Sequence, residues 1–161
     1  MFGFSIASRC VLIPMSKHRL ATALAAGAIG ACAITLIHEL LRRTAPHAPR
    51  MDVLGMRGIA RLSRAIGKHP PAHLHRSALL ADLASNAAYY SLVGASPAHA
   101  AATGAALGLA AGAGAVLLPG PMGLGSAPAN RTAPTQLLTV ALYAVGGVVA
   151  GASYDAMTKR A

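Results

Sequence analysis

The chain has 161 residues, 55% of them hydrophobic and only 11% charged, yet its net charge is +10. Ordinary soluble domains carry roughly 25% charged residues, so this composition excludes a conventional water-exposed surface. With 17 Gly, no Trp and an aromatic share of 4%, the apolar content consists of small side chains, which fill a soluble core poorly but let helix backbones approach closely in lipid. The expected fold class is therefore all-α, an integral membrane four-helix bundle with an additional basic amphipathic interfacial helix.

Residues 1–14, MFGFSIASRCVLIP, differ in character from the stretch beginning MSKHRL at Met15. Met15 reads as the natural start, with 1–14 an upstream extension; a loosely ordered tail is the other reading. Residues 1–19 form an N-terminal tail in either case, and 20–161 a single membrane domain. The first span is expected over 20–38. Residues 20–37 contain no charged side chain, and 18 residues at about 1.5 Å each approach the ~30 Å hydrocarbon core. A signal peptide competes with this reading, because Ile29-Gly30-Ala31-Cys32 resembles a lipoprotein cleavage box. The apolar continuation through Ile34, Leu36 and Ile37 favours an uncleaved helix over a polar tether.

The segment 42–76 carries Arg42, Arg43, Arg50, Arg57, Arg61, Arg64, Lys68 and Arg76, eight of the 14 cations of the chain. Within it, 52–67 reads as an amphipathic helix. Arg57, Arg61, Arg64 and Lys68 recur at steps of four, three and four, and Leu54, Ile59, Leu62 and Ile66 make the opposite face. Such a helix between two spans is expected to lie in the headgroup layer, its cationic stripe on anionic lipid. Asp52 suits the N-terminal end of the helix dipole, and Pro70-Pro71 is expected to stop the helix.

Further spans are expected over 77–95, 98–118 and 136–154. The second holds Asp82 and Asn86, whereas the third is almost entirely Ala, Gly and Leu. A Pro/Gly-rich loop over 119–134 is expected to hold no regular element, and its length suggests that it folds back on the protein. Four spans with the N-terminus outside put nine cations in the cytoplasm, those of 42–76 and Arg131, against five outside. The positive-inside rule therefore expects a multi-pass protein of the inner (plasma) membrane with the 42–76 loop cytoplasmic.

Asp82 is the sharpest chemical feature, since an ionisable group within a span costs about 3 kcal/mol at mid-helix. Asp82, Asn86 and Tyr89 share one helix face, and His38, Glu39 and Arg42 close the first helix in the same leaflet. A polar intramembrane cluster of these six is expected, with Asp82 bonded to His38 or Arg42. It serves either to fix helix packing or to hold a proton, ion or substrate. Gly104, Gly108 and Gly112, and separately Gly147 and Gly151, form stripes suited to close helix crossing, within one chain more readily than between chains.

Other signals are weaker. His69, His73 and His75 lack an adjoining cysteine or carboxylate, so no metal site is expected. His38-Glu39 does not continue as a zinc-protease motif, because Arg42 stands where histidine is required. The glycine-rich stretch 112–125 contains no nucleotide-binding fingerprint, and Cys10 and Cys32 lack metal-ligand spacing. Neither a cofactor nor a nucleic acid is expected, and Asn130-Arg131-Thr132 reads as an incidental glycosylation match.

Three stretches together, HELLRRTAPHAPRMDVLGMR at 38–57, SNAAYYSLVG at 85–94 and LPGPMGLGSAPANRTAPTQ at 118–136, resemble a group of small, uncharacterised bacterial membrane proteins with about four predicted spans. The resemblance implies a bacterial inner-membrane location and carries no activity with it. On the residues themselves, the expected role is non-enzymatic association with anionic lipid headgroups, a homo-oligomeric copy or a membrane-protein partner. The alternative is a small transporter or channel built around Asp82.

Overall fold

The computed structural model describes residues 16–159, and among these the regular structure is entirely helical. The proposed start at Met15, the extension before it and Arg160 lie outside the described residues. Helix α1 (Lys17–Thr44) is followed by α2 (Met51–Ala65) and α3 (Leu74–Tyr90). Short 3-10 turns at Ser91–Ala95 and Pro97–His99 then lead into α4 (Ala100–Leu117), the single turn α5 (Ala127–Asn130) and α6 (Ala133–Thr158).

Local chemistry accounts for the ends of these helices. Ser16 caps α1 by accepting a bond from the Arg19 N–H at 3.3 Å. Helix α2 stops before the prolines are reached. Gly67 takes a left-handed φ of 70°, its N–H donates to the Arg64 carbonyl, and the Lys68 N–H donates to that of Ser63. This is a Schellman ending, which a Cβ at position 67 would disfavour. Helix α6 begins three residues earlier than its apolar run, because Thr132 accepts from the Thr135 N–H and Pro134 occupies the first turn. Thr132 is thus a helix cap.

Three helices, Lys17–Thr44, Pro97–Leu117 with its leading turn, and Ala133–Thr158, are long and apolar enough to cross a membrane. Helix α3 is not among them: it has 17 residues and carries Asp82 and Asn86. The expected second span at 77–95 is split between α3 and the tighter Ser91–Ala95 turn. The expectation of a structureless 119–134 segment also needs correction. Ala127–Asn130 closes a helical turn, and Pro128 and Ala129 are buried.

The distribution of side-chain size is inverted relative to a soluble protein. Ala23, Ala26, Ala31, Ala100 and Ala150 are buried, whereas Leu20, Leu24, Leu36, Leu40, Leu80, Leu109, Leu117 and Leu137 are exposed. Many large apolar groups facing outward, over a core rich in alanine and glycine with Ile34, Tyr90, Val93, Leu142 and Tyr154 among its larger members, suit lipid surroundings with close helix packing.

Packing is tightest between α4 and α6. A Cβ on Gly108 would lie 2.5 Å from the Tyr143 carbonyl oxygen, and one on Gly112 would lie 2.7 Å from the Val140 Cα. Gly104 and Gly147 approach each other so closely that a Cβ on either would strike the other's carbonyl, and Gly151 abuts Ala100 in the same way. Both glycine stripes therefore meet within one chain. On the other flank, Gly27 of α1 touches the backbone at Ala87 and Ser91, and Gly30 abuts Gly146 and Ala150 of α6. Two tyrosines, Tyr90 buried and Tyr89 partly so, stitch the helices together. Tyr89 donates to the Leu107 carbonyl at 3.0 Å, and Tyr90 donates to that of Tyr143 at 2.8 Å. These contacts run α1 antiparallel to α3 and α6, and α4 antiparallel to α6. The α1–α2 loop, the start of α3 and the Pro/Gly loop consequently gather at one end.

Candidate binding surface at the basic end

The α1–α2 loop is fixed from three sides. His38 Nε2 and the Pro49 carbonyl are hydrogen-bonded at 2.9 Å, the Arg50 N–H donates to the Pro128 carbonyl at 2.8 Å, and Arg131 reaches the Pro46 carbonyl at 3.4 Å. Pro49 and Ala48 are buried as a result. The Pro/Gly loop is held in turn by α2. Arg57 Nη1 donates to the Leu124 carbonyl at 2.8 Å, and Arg61 lies over Gly123. Gly123 and Gly125 have φ of 68° and 80°, and a Cβ on Gly125 would come within 2.7 Å of Arg57. Only glycine allows the loop to pass beneath these guanidinium groups in that backbone conformation.

The cationic stripe of α2 is accordingly divided. All four are exposed, but Arg57 is bonded to the loop and Arg61 lies against Gly123, whereas the side chains of Arg64 and Lys68 make no hydrogen bond among the described residues. Its apolar face is divided too. Leu54 is buried against the bundle, whereas Leu62 and Ile66 are 64% and 60% exposed.

Several concavities occupy this end, the widest, of about 620 Å³, between α2 and the Pro/Gly loop; two others gather most of the charged side chains. The first, of about 240 Å³, lies between α1, α2 and the first turns of α3. Leu36, Met51, Ala78 and Leu79 form its apolar wall, and Glu39, Asp52 and Asp82 line it together with His38 and His75. Three of the four carboxylates in the chain thus meet in one cavity. Glu39 and Asp52 are paired with arginine, whereas Asp82 has no ion pair among the described residues.

The second is a cleft of about 500 Å³ bounded by Arg42, Arg43, Arg50, Arg131 and the loop residues between them. Glu39 receives both Arg42 and Arg43, each through Nε and Nη2, at 2.7–3.0 Å. Asp52 receives Arg50 through the same pair of atoms at 2.9 Å. The Asp52 side chain is only 11% exposed. The Arg50 guanidinium holds its carboxyl below the ordinary range, against the opposing effect of burial and with help from the Val53 N–H.

The six residues expected to form one polar cluster are distributed between these features. His38, Glu39 and Asp82 line the apolar-walled cavity. Arg42 pairs with Glu39 rather than Asp82 and faces the arginine cleft. Asn86 is buried one turn deeper, and Tyr89 bonds to α4. Asp82 sits level with His38, just past the charge-free stretch 20–37, and shares the cavity with Glu39, Asp52 and His75. Arg43, Arg50 and Arg131 are not distinguished by sequence periodicity. Arg131 joins the cleft from a position 85 residues beyond its Pro46 partner, a separation that leaves no local signal.

No protein-family model, curated protein or solved structure matches this chain.

Proposed function

We propose that this is a non-enzymatic, multi-pass protein of the inner membrane, crossing four times, whose basic end associates with anionic lipid headgroups or a headgroup-bound partner on the cytoplasmic side. The observation that carries this reading is the gathering of Arg42, Arg43, Arg50, Arg57, Arg61, Arg64, Lys68, Arg76 and Arg131 around two interlocked loops. At the opposite end the described cations are Lys17, Arg19 and Lys159. Such asymmetry is what the positive-inside rule selects, and each cation near an anionic leaflet contributes about 1 kcal/mol. The exposed Leu62 and Ile66 of α2 suit the acyl boundary beneath the headgroups. As for the fourth crossing, α3 rises about 26 Å and the Ser91–Ala95 turn adds about 10 Å, together enough for the hydrocarbon core.

The test is lipid occupancy of the whole protein, measured by native mass spectrometry after titration with short-chain phosphatidylglycerol. Replacing Arg57, Arg61 and Arg64 by glutamine is expected to weaken binding at least tenfold, with roughly 10²-fold as the upper figure at 1 kcal/mol each. Unchanged occupancy in a folded triple variant would exclude the reading. The convergence of Glu39, Asp52 and Asp82 on one cavity favours a second reading, a small proton- or cation-coupled transporter. There Asp82→Asn abolishes an ion-dependent flux in proteoliposomes and leaves the fold intact; a flux that survives the substitution removes it.

A further inference from the structure

We propose that the cleft formed by Arg42, Arg43, Arg50 and Arg131 is a binding site for a terminal phosphate, a phosphomonoester or diphosphate group, and that it prefers this over a phosphodiester. The inference rests on the headgroup-binding reading above and gives it a specific site and ligand class.

Arg42, Arg43 and Arg50 each spend Nε and Nη2 on a carboxylate, Glu39 for the first two and Asp52 for the third. A guanidinium bound along that edge retains the two N–H groups of Nη1, which no acceptor among the described residues takes in any of the three. The carboxylates thus act as buttresses. They fix the planes of the arginines, so that little side-chain entropy remains to be lost when an anion arrives. Arg131 supplies the fourth group from the turn before α6, with one weak contact to Pro46. The floor between them is equally rigid, since the Ala45–Arg50 connection is pinned by His38 and the Pro128 carbonyl.

Charge then selects the ligand. Four arginines and two buttressing carboxylates leave the cleft with a net charge of +2. A phosphomonoester carries about −1.5 to −2 at pH 7 and presents three acceptor oxygens, whereas a phosphodiester carries −1 and presents two free ones. Arginine's planar fork suits such oxygens. The volume of about 500 Å³ admits a phosphate with a short polar substituent, and the exposed Arg43 and half-exposed Arg50 leave it open to approach. The ligand is either the headgroup of a phosphomonoester lipid or a free phosphate compound, which share this chemistry.

The experiment uses the full-length protein in detergent, with dioctanoyl phosphatidic acid, dioctanoyl phosphatidylglycerol and sodium pyrophosphate as probes. Native mass spectrometry is expected to show phosphatidic acid binding at least tenfold more tightly than phosphatidylglycerol. The double variant Arg43→Gln, Arg131→Gln should reduce that preference to less than threefold, whereas Lys17→Gln, Arg19→Gln at the opposite end retains it. Should the double variant unfold, as judged by its thermal melting, Arg131→Gln alone is expected to lower the preference severalfold, because it removes only one long contact to the α1–α2 loop, at 3.4 Å, and leaves the His38 and Pro128 bonds that hold it. Displacement of the lipid by pyrophosphate assigns the cleft to free phosphate compounds, and retention assigns it to the lipid. A wild-type protein with no preference between the two lipids overturns the proposal, as does a folded double variant with the wild-type preference. Failure of the general headgroup reading is distinguishable, since it shows as Arg57, Arg61 and Arg64 substitutions that leave phosphatidylglycerol occupancy unchanged.

Discussion

Replacing Gly108 by alanine should weaken the α4–α6 contact by an amount that can be worked from the structure. The new Cβ would lie 2.5 Å from the Tyr143 carbonyl oxygen and 2.7 Å from the Ala144 Cα. Ordinary C···O contacts begin near about 3.3 Å, so the helices must part locally by roughly 0.8 Å. A gap of that size forfeits about a quarter to a half of each dispersion contact across it, and overpacking of this kind costs about 1–3 kcal/mol. The alanine also gains up to about 1 kcal/mol of helix propensity, which a control removes. Gly114 lies in the same helix, and a Cβ there would meet only the flexible Leu118 side chain at an ordinary 3.5 Å. The difference in stability between Gly108→Ala and Gly114→Ala therefore isolates the packing penalty at about 1–3 kcal/mol. Far-UV circular dichroism in mixed dodecyl maltoside and dodecyl sulfate micelles is the suitable assay, as the chain has no Trp to report by fluorescence. Two variants agreeing within about 0.5 kcal/mol would refute the packing argument.

Other perturbations probe separate parts of the molecule. Tyr90→Phe removes the bond to the Tyr143 carbonyl from a fully buried ring. It should cost about 0.5–1.5 kcal/mol in the same assay, and no cost would show the hydroxyl to be idle. Gly125→Ala strains a left-handed residue and drives a Cβ into Arg57. Faster proteolysis or hydrogen exchange across 119–126, with the rest of the chain unchanged, is the expected result, and unaltered exchange would show that Arg57 does not hold the loop. The depressed Asp52 carboxyl gives a signed pH dependence. Its stabilising pairing with Arg50 is fully present above the ordinary value of 3.8 and is lost as pH falls through the lower folded value. Asp52→Asn should flatten that acid limb of the thermal melting curve, and an unchanged limb would remove Asp52 from the account.

Much of the helical plan can be read directly from residue order, because its signals are local. The charge-free run 20–37, the Ala/Gly stretch of α4 and the apolar run of α6 each declare a helix without reference to the rest of the chain. The alternation of Arg57, Arg61 and Arg64 with Leu54 and Leu62 likewise declares α2. Boundaries shifted where capping competed with composition. Gly67 ends α2 ahead of Pro70, and Thr132 with Pro134 starts α6 inside what reads as loop. The candidate site at the basic end was less legible. Arg42 is a plausible partner for Asp82 on helix periodicity, but Glu39, one turn earlier on its own helix, captures it. The meeting of Arg131 with Arg50, and of Arg57 with Leu124, depends on how two loops fold over one end. No spacing in the sequence encodes such a meeting.

The central claim, that the chain crosses the membrane four times with its two arginine-rich loops on one side, is most directly tested by cysteine accessibility. Single cysteines at His18, Ala65, Ala98, Ala127 and Lys159, in a background lacking Cys10 and Cys32, would be challenged with an impermeant thiol reagent in intact cells. The account predicts protection at 65 and 127 and labelling at 18, 98 and 159. Protection at 98 would mean that α3 and the Ser91–Ala95 turn do not cross, and labelling at 65 would remove the basic end from the anionic leaflet; either result contradicts the account.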